Sequence, residues 1–349
     1  MYHQFRTVSR RNALRGGLGL AAGLALTGRV APGAIAQDPT KLTLALDWYP
    51  NANHAGLYLA QDRGYFDEGG LAVEIYTPAD PAAALQTVGA GRDPFGISYH
   101  SEILFAREQE VPVVSVAALV QHPLNCLMML ADSGIERPAD LAGKAVGSAG
   151  LPSDDAYLQT MLEFDGVSMD DVEVVNVGFD LLPALLAERV DAVIGTYWTH
   201  ETILAEQEGY PVTYLRVEEW GVPDYYELIL AAGESTVADQ GEAISAFLGA
   251  MQRGYLDAAA DPDAALEVLL AVSPDLDGDV ERQGLDLLIP LWTDDGAVSV
   301  GTQTAERWDA FGGWMKDTGL LGEDVDIATA WNGDLLPASE ATPAATPAG

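Results

Sequence analysis

Residues 47–66 read DWYPNANHAGLYLAQDRGYF and gather aromatic, amide, imidazole and carboxylate side chains into one turn. Trp48 and Tyr49 offer flat faces for stacking, Asn51 and Asn53 offer paired donors and acceptors, and Asp47 and His54 offer partners for a polar ring. That set suits the reading of a small polar ligand. The bland alternative is that Trp48 and Tyr49 are core aromatics and Pro50-Asn51 is only a turn, but the clustering of Trp, Tyr, two Asn and His favours a ligand loop. His54 keeps three readings: a ligand contact, a polar contact within the loop, or a catalytic or metal-binding group.

Such a loop needs a rigid mount. Residues 42–46 alternate apolar side chains as a short strand does, and residues 55–63 read as a helix stopped by Gly64. A ligand at the strand's carboxyl end would meet the loop side chains and the free N–H groups of the helix's first turn. Strand and helix patterns continue to alternate, with strands near 72–76 and 95–98, a helix near 81–90 and a longer apolar run over 113–120. The fold class is therefore α/β, with sheets covered by helices. About 313 residues remain after a leader is removed, more than one small core holds, so two lobes are expected. The expected division is lobe one over 37–123, lobe two over 124–222, a return to lobe one over 223–336 with helices over 241–290 and 304–318, and a disordered Pro/Ala/Thr tail over 337–349.

Other candidate chemistry is weaker. Gly147-Ser148-Ala149-Gly150 is a short Gly-rich turn before a helix and could hold an anion by its N–H groups, but it lacks a Walker lysine. Ser153 and Asp154 are expected to cap the helix running through Tyr157. Acid pairs such as Asp154-Asp155, Asp170-Asp171 and Asp294-Asp295 read as caps and solvated faces, with calcium on one of them left open. His100, His122 and His200 lack H-x-x-x-H or H-x-H spacing, so no metal site is expected, and no G-x-S-x-G elbow is present. The single cysteine, Cys126, excludes an internal disulfide and reads as a small buried residue after a strand.

The chain carries 17 basic and 53 acidic residues, a formal charge of −36. Nucleic acid and anionic membrane surfaces are thus poor partners. Residues 1–36 hold five arginines and no acid, with Arg10-Arg11 ahead of an apolar Gly/Ala/Leu run and Ala34-Ile35-Ala36 as a cleavage pattern. This looks like a twin-arginine export signal, although Ala13 stands where a bulky apolar residue is usual. An uncleaved anchor is the alternative. Removing the segment leaves a charge of about −41. With only Lys41, Lys144 and Lys316 as lysines, this balance fits either a high-salt habitat or a GC-rich genome.

The strings W-x-P-N-x-x-H-A-G-L-Y from Trp48, A-x-x-x-G-Y-F from Ala60, G-L-x-V-E-I from Gly70 and F-G-I-S-Y from Phe95 resemble the solute-binding proteins for thiamine pyrimidine precursors. These group with sulfonate- and nitrate-binding proteins of ABC importers and with yeast-type thiamine-pyrimidine synthases. The resemblance runs over about 41–230. It implies a two-lobed periplasmic-binding-protein fold of type II with a ligand cleft between the lobes, an exported monomer in the periplasm or at the outer face of the cytoplasmic membrane, an ABC permease as partner, and no cofactor. Carried over by position, it implies ligand contacts from Asp47, Trp48, Asn51, His54, Tyr58, Ser98 and Tyr99 in lobe one. In the G-W-x-x-E-like and D-Y-Y-like segments it implies Tyr197, Trp198, Glu201, Asp224 and Tyr225. An aminopyrimidine is flat and electron-poor, with an acceptor nitrogen beside an amino donor, so it wants aromatic faces and a carboxylate at that edge. Trp48, Tyr197 or Trp198 supply the stacking and Glu201 the edge pair. A nitrate, sulfonate or other small solute is the close variant. The synthase is the enzymatic alternative, disfavoured by one cysteine where several cluster in those enzymes, and by Lys41 alone near the start of lobe one.

Overall fold

The computed structural model describes residues 38–338. The export signal expected over 1–36 and nearly all of the tail expected over 337–349 lie outside the described residues. Within them, ten strands run in chain order: β1 (Thr40–Ala45), β2 (Leu71–Tyr76), β3 (Phe95–Tyr99), β4 (Val113–Ala118), β5 (Asn125–Leu130), β6 (Ala145–Ser148), β7 (Glu173–Asn176), β8 (Ala192–Tyr197), β9 (Val212–Arg216) and β10 (Leu228–Gly233). They form two five-stranded sheets, ordered β2-β1-β3-β10-β4 and β7-β6-β8-β5-β9. In the first, β1 is parallel to β2 and β3, and β10 lies antiparallel between β3 and β4. The second repeats the scheme, with β6 parallel to β7 and β8, and β5 antiparallel between β8 and β9. Each antiparallel strand begins just after the chain has crossed from the other sheet. This is the two-lobed α/β architecture of periplasmic binding proteins.

Strands VVSVAA and LILAAG (β4 and β10) are buried at every position, which is why they read as apolar runs and not as alternating patterns. Edge strands β7 and β9 keep exposed positions and carry Glu173, Thr213 and Tyr214. The helix Ala55–Asp62 packs on Gly241–Ala260 through bare backbone: a Cβ on Gly254 would lie 2.1 Å from the Gly56 carbonyl oxygen. Helix Gly278–Leu291 starts where the Asp277 carboxylate accepts from the N–H groups of Asp279 (2.9 Å) and Val280 (3.1 Å). Cys126 sits inside β5 and not after a strand, fully buried, with its Sγ 3.3 Å from the Thr196 carbonyl oxygen.

Register directs both sheets at one place. Leu228 opens β10 opposite Tyr99, the last residue of β3, so Glu227 falls at that sheet's end. Asn125 opens β5 opposite Tyr197, the last residue of β8. The carboxyl ends of the parallel strands and the two crossing segments therefore meet.

Candidate functional site

At that meeting point lies a cavity lined from both sheets. Asp47, Trp48, Asn51 and Tyr99 line it from the first sheet. Asn125, Asp154, Tyr157, Tyr197 and Glu201 line it from the second, and Glu227 from the returning segment. Tyr99, Tyr157 and Tyr197 have their hydroxyls held well above the ordinary tyrosine range, by burial first and by nearby carboxylates second, so they present O–H groups.

The loop 47–54 is stiffened from within. Asn51 caps the short turn Ala52–His54, its side-chain oxygen accepting from the Asn53 N–H at 2.9 Å. The Asn51 N–H donates to His54 Nδ1 at 3.2 Å, which leaves His54 Nε2 as the donor to Asp47 at 3.0 Å. Tyr99 donates to the other Asp47 oxygen at 3.1 Å. The Ala52 N–H is taken by Glu281 at 2.6 Å. The N–H groups expected to be free for a ligand at this helix start thus have partners inside the protein. Phe179, from the second sheet's side, packs its ring 4.7 Å from both Trp48 and Tyr49, closing the aromatic wall.

Four carboxyl groups, Asp47, Asp154, Glu201 and Glu227, line the cavity, and among the described residues no lysine or arginine does. Glu227 accepts from the N–H groups of Leu124 (2.6 Å) and Asn125 (3.0 Å) and from the Tyr225 hydroxyl (2.9 Å). Burial nevertheless pushes its carboxyl up to about 7, because the charged form loses more to desolvation than those donors return. Asp154 accepts from the Ala149 N–H at 2.9 Å and is raised well above the usual range, by burial and then by nearby Glu102. Glu201 accepts from the Tyr197 N–H at 2.9 Å and meets His200 at 3.1 Å. Burial pushes Glu201 up, but His200 outweighs it and the carboxyl ends lowered. His200 in turn reaches Glu281 at 3.0 Å. Burial pulls its imidazole down, and the two flanking carboxylates more than reverse this, to about 10.

The structure brings Asp47, Trp48, Asn51, Tyr99, Tyr197 and Glu201 together around one cavity and sets the other expected contacts apart. His54 is fully buried beneath the loop and fills the role of internal polar contact. Tyr58 lies in the core under the helix Ala55–Asp62. Ser98 precedes Tyr99 on β3, and neighbours on a strand face opposite ways, so only Tyr99 reaches the cleft. Trp198, in the turn after β8, points elsewhere: its indole donates to the Pro123 carbonyl oxygen at 3.2 Å and lies under the Arg216 guanidinium at 3.9 Å. Asp224 is exposed and bound to His122 (2.8 Å) and Arg307 (2.9 Å). Tyr225 stands behind Glu227, not in the cavity.

The lining residues that sequence reasoning passed over are Asn125, Asp154, Tyr157 and Glu227. Asp154 was expected on a solvated face or as a cap; Leu151 takes the cap position of helix Pro152–Phe164 and Asp154 is 1% exposed, turned back on the Gly-rich turn. Glu227 directly follows the Asp-Tyr-Tyr segment, and an acid directly before an all-apolar strand was the available signal. Among the described residues no cluster of His, Cys, Asp and Glu is arranged to hold a metal ion.

The family described as NMT1/THI5 like matches residues 51–265. The formylaminopyrimidine-binding protein of Halalkalibacterium halodurans is 39% identical over 291 residues, covering 82% of this chain and 88% of that protein. The 4-amino-5-hydroxymethyl-2-methylpyrimidine phosphate synthase of Legionella pneumophila is 25% identical over 307 residues, covering 87% of this chain and 95% of that one. Among solved structures, the alkanesulfonate-binding protein of Xanthomonas axonopodis pv. citri bound to MOPS superposes with a TM-score of 0.69 at 17% identity, over 85% of this chain and 99% of that one. The expectation of a binding protein and not an enzyme agrees with the higher identity to a binding protein.

Proposed function

This chain belongs to the NMT1/THI5-like family, and on that premise we propose that it is an exported solute-binding protein that delivers a thiamine pyrimidine precursor to an ABC permease. The observation that carries the reading is a cation-free cavity with aromatic walls and carboxyl groups contributed from both sheets. A flat ring with an amino group finds stacking on Trp48, and the Glu201 carboxylate, kept ionised by His200, pairs with its donor edge. A sulfonate or nitrate fits poorly: at about 4 Å and an effective dielectric of 20, each like-charge encounter costs about 4 kcal/mol. The synthase reading also fits poorly. Its cofactor needs a lysine, and none lines the cavity; the one cysteine is fully buried, its thiol pushed up by that burial.

Transport follows from lobe closure, with no bond made or broken. We place the lobe boundaries near 123 and 222, where the chain passes between the sheets. Contacts that join the two sides around the cavity include Tyr157 to Ser101 at 3.0 Å, the Ser153 N–H to Glu102 at 2.9 Å, and His200 to Glu281. A ligand touching both sides adds to these only in the closed form and so shifts the population towards it. The permease then reads the closed shape.

The test is calorimetric titration with hydroxymethylpyrimidine and its formylaminomethyl analogue. Wild type should bind at least one; binding neither refutes the ligand class. Glu201→Gln keeps the size but loses the charge, and should weaken binding by about 1.5–3 kcal/mol, roughly ten- to a hundredfold. Trp48→Ala should weaken binding while leaving the unfolding midpoint nearly unchanged.

A further inference from the structure

We propose that this cleft rejects phosphate esters and other anionic forms of its ligand, and that Asp154 is a specificity-determining residue because it occupies the anion-holding turn from within. The proposal rests on the aminopyrimidine reading and narrows it to the unphosphorylated compound.

The turn Gly147-Ser148-Ala149-Gly150 joins β6 to the 13-residue helix Pro152–Phe164, and a turn of this kind ordinarily presents N–H groups to a phosphate. Here those groups are engaged. The Ala149 N–H donates to Asp154 at 2.9 Å, the Gly150 N–H to the Ser148 hydroxyl oxygen at 3.0 Å, and the Ser153 N–H to Glu102 at 2.9 Å. Asp154 packs against bare backbone of β8: a Cβ on Gly195, whose φ is +93°, would lie 2.9 Å from its carboxylate oxygen. A phosphate arriving at the turn would have to expel a buried carboxyl and would find no cation to compensate.

The pattern holds around the whole cleft. Glu227 takes the Leu124 and Asn125 N–H groups, Glu201 takes that of Tyr197, and Glu281 takes that of Ala52. Peptide donors that an anion would use are thus covered by acids of the chain, whose remaining lone pairs face donors. Such a site gains from amino and hydroxyl groups and loses with each negative charge.

Hydroxymethylpyrimidine and its phosphate monoester differ by the phosphoryl group and the negative charge it brings, so titrating both into wild type near pH 8 tests rejection of the ester. The ester should bind at least a hundredfold more weakly; affinities within tenfold of each other overturn the proposal. Asp154→Ala uncovers the Ala149 N–H and should narrow the gap at least tenfold, whereas Asp154→Asn keeps an oxygen on that N–H and should leave most of it. If Asp154→Ala retains the full gap, the assignment to Asp154 is wrong. Should that variant not fold, Asp154→Asn is read alone, and a tenfold gain for the ester shows that charge and not the covered N–H decides. If wild type binds neither pyrimidine, the functional reading has failed separately. Inorganic phosphate then serves as the probe, and a raised unfolding midpoint with millimolar phosphate overturns anion rejection, while an unchanged midpoint supports it.

Discussion

Replacing His200 by Phe keeps a planar ring of similar size but strands two carboxylates that the imidazole now bridges. Glu201 and Glu281 have side chains only 11% and 1% exposed, and His200 lies within 3.1 and 3.0 Å of them. Its rise from 6.5 to about 10 corresponds to about 5 kcal/mol of preference for the charged ring in the folded state. Removing one member of a buried ion pair costs about 3–5 kcal/mol by a separate route, so the two magnitudes agree. We expect a loss of about 3–5 kcal/mol in urea unfolding followed by tryptophan fluorescence. The sign with pH follows: a raised folded pKa stabilises fully below 6.5 and is lost as pH rises through 10, so wild type and variant should converge near pH 10.5. Binding should suffer too, because Glu201 without its partner takes up a proton and Glu281 loses the geometry that holds the Ala52 N–H. A loss below about 1 kcal/mol at pH 7, or one that does not shrink towards pH 10.5, refutes the bridge.

Glu227 gives a second pH signature. Its folded pKa of about 7, above the ordinary 4.5, means that the stability it contributes is present below 4.5 and lost as pH rises through 7. Glu227→Gln should therefore gain on wild type in unfolding free energy between pH 5 and 8; parallel profiles for the two proteins would sink this assignment. The formal charge of −36 predicts that molar potassium chloride raises the unfolding midpoint by screening self-repulsion, and an unchanged midpoint would remove the high-salt reading.

The alternating α/β pattern and the loop at 47–54 were legible in the residues because each rests on local periodicity and turn chemistry, while the two lobes followed from chain length and from the family resemblance. β1 and β3 and the helices Ala55–Asp62 and Ala305–Asp317 stand within a residue or two of where apolar spacing and caps put them. Which neighbour in a pair faces the cleft was not legible. Ser98 against Tyr99 is decided by strand parity, and Tyr197 against Trp198 by where β8 ends, both relative to a surface that exists only once the two sheets are in place. The burial of Asp154 and Glu227 was equally hidden, since an acid in so acidic a chain is ordinarily solvated. Only the return of the chain through β10, and the close approach of Gly195 to the helix Pro152–Phe164, put those carboxyls where desolvation can act on them. Composition and spacing determined which groups were at hand; contacts between residues as far apart as Ala52 and Glu281 determined which hydrogen bonds they kept for themselves and which they left for a ligand.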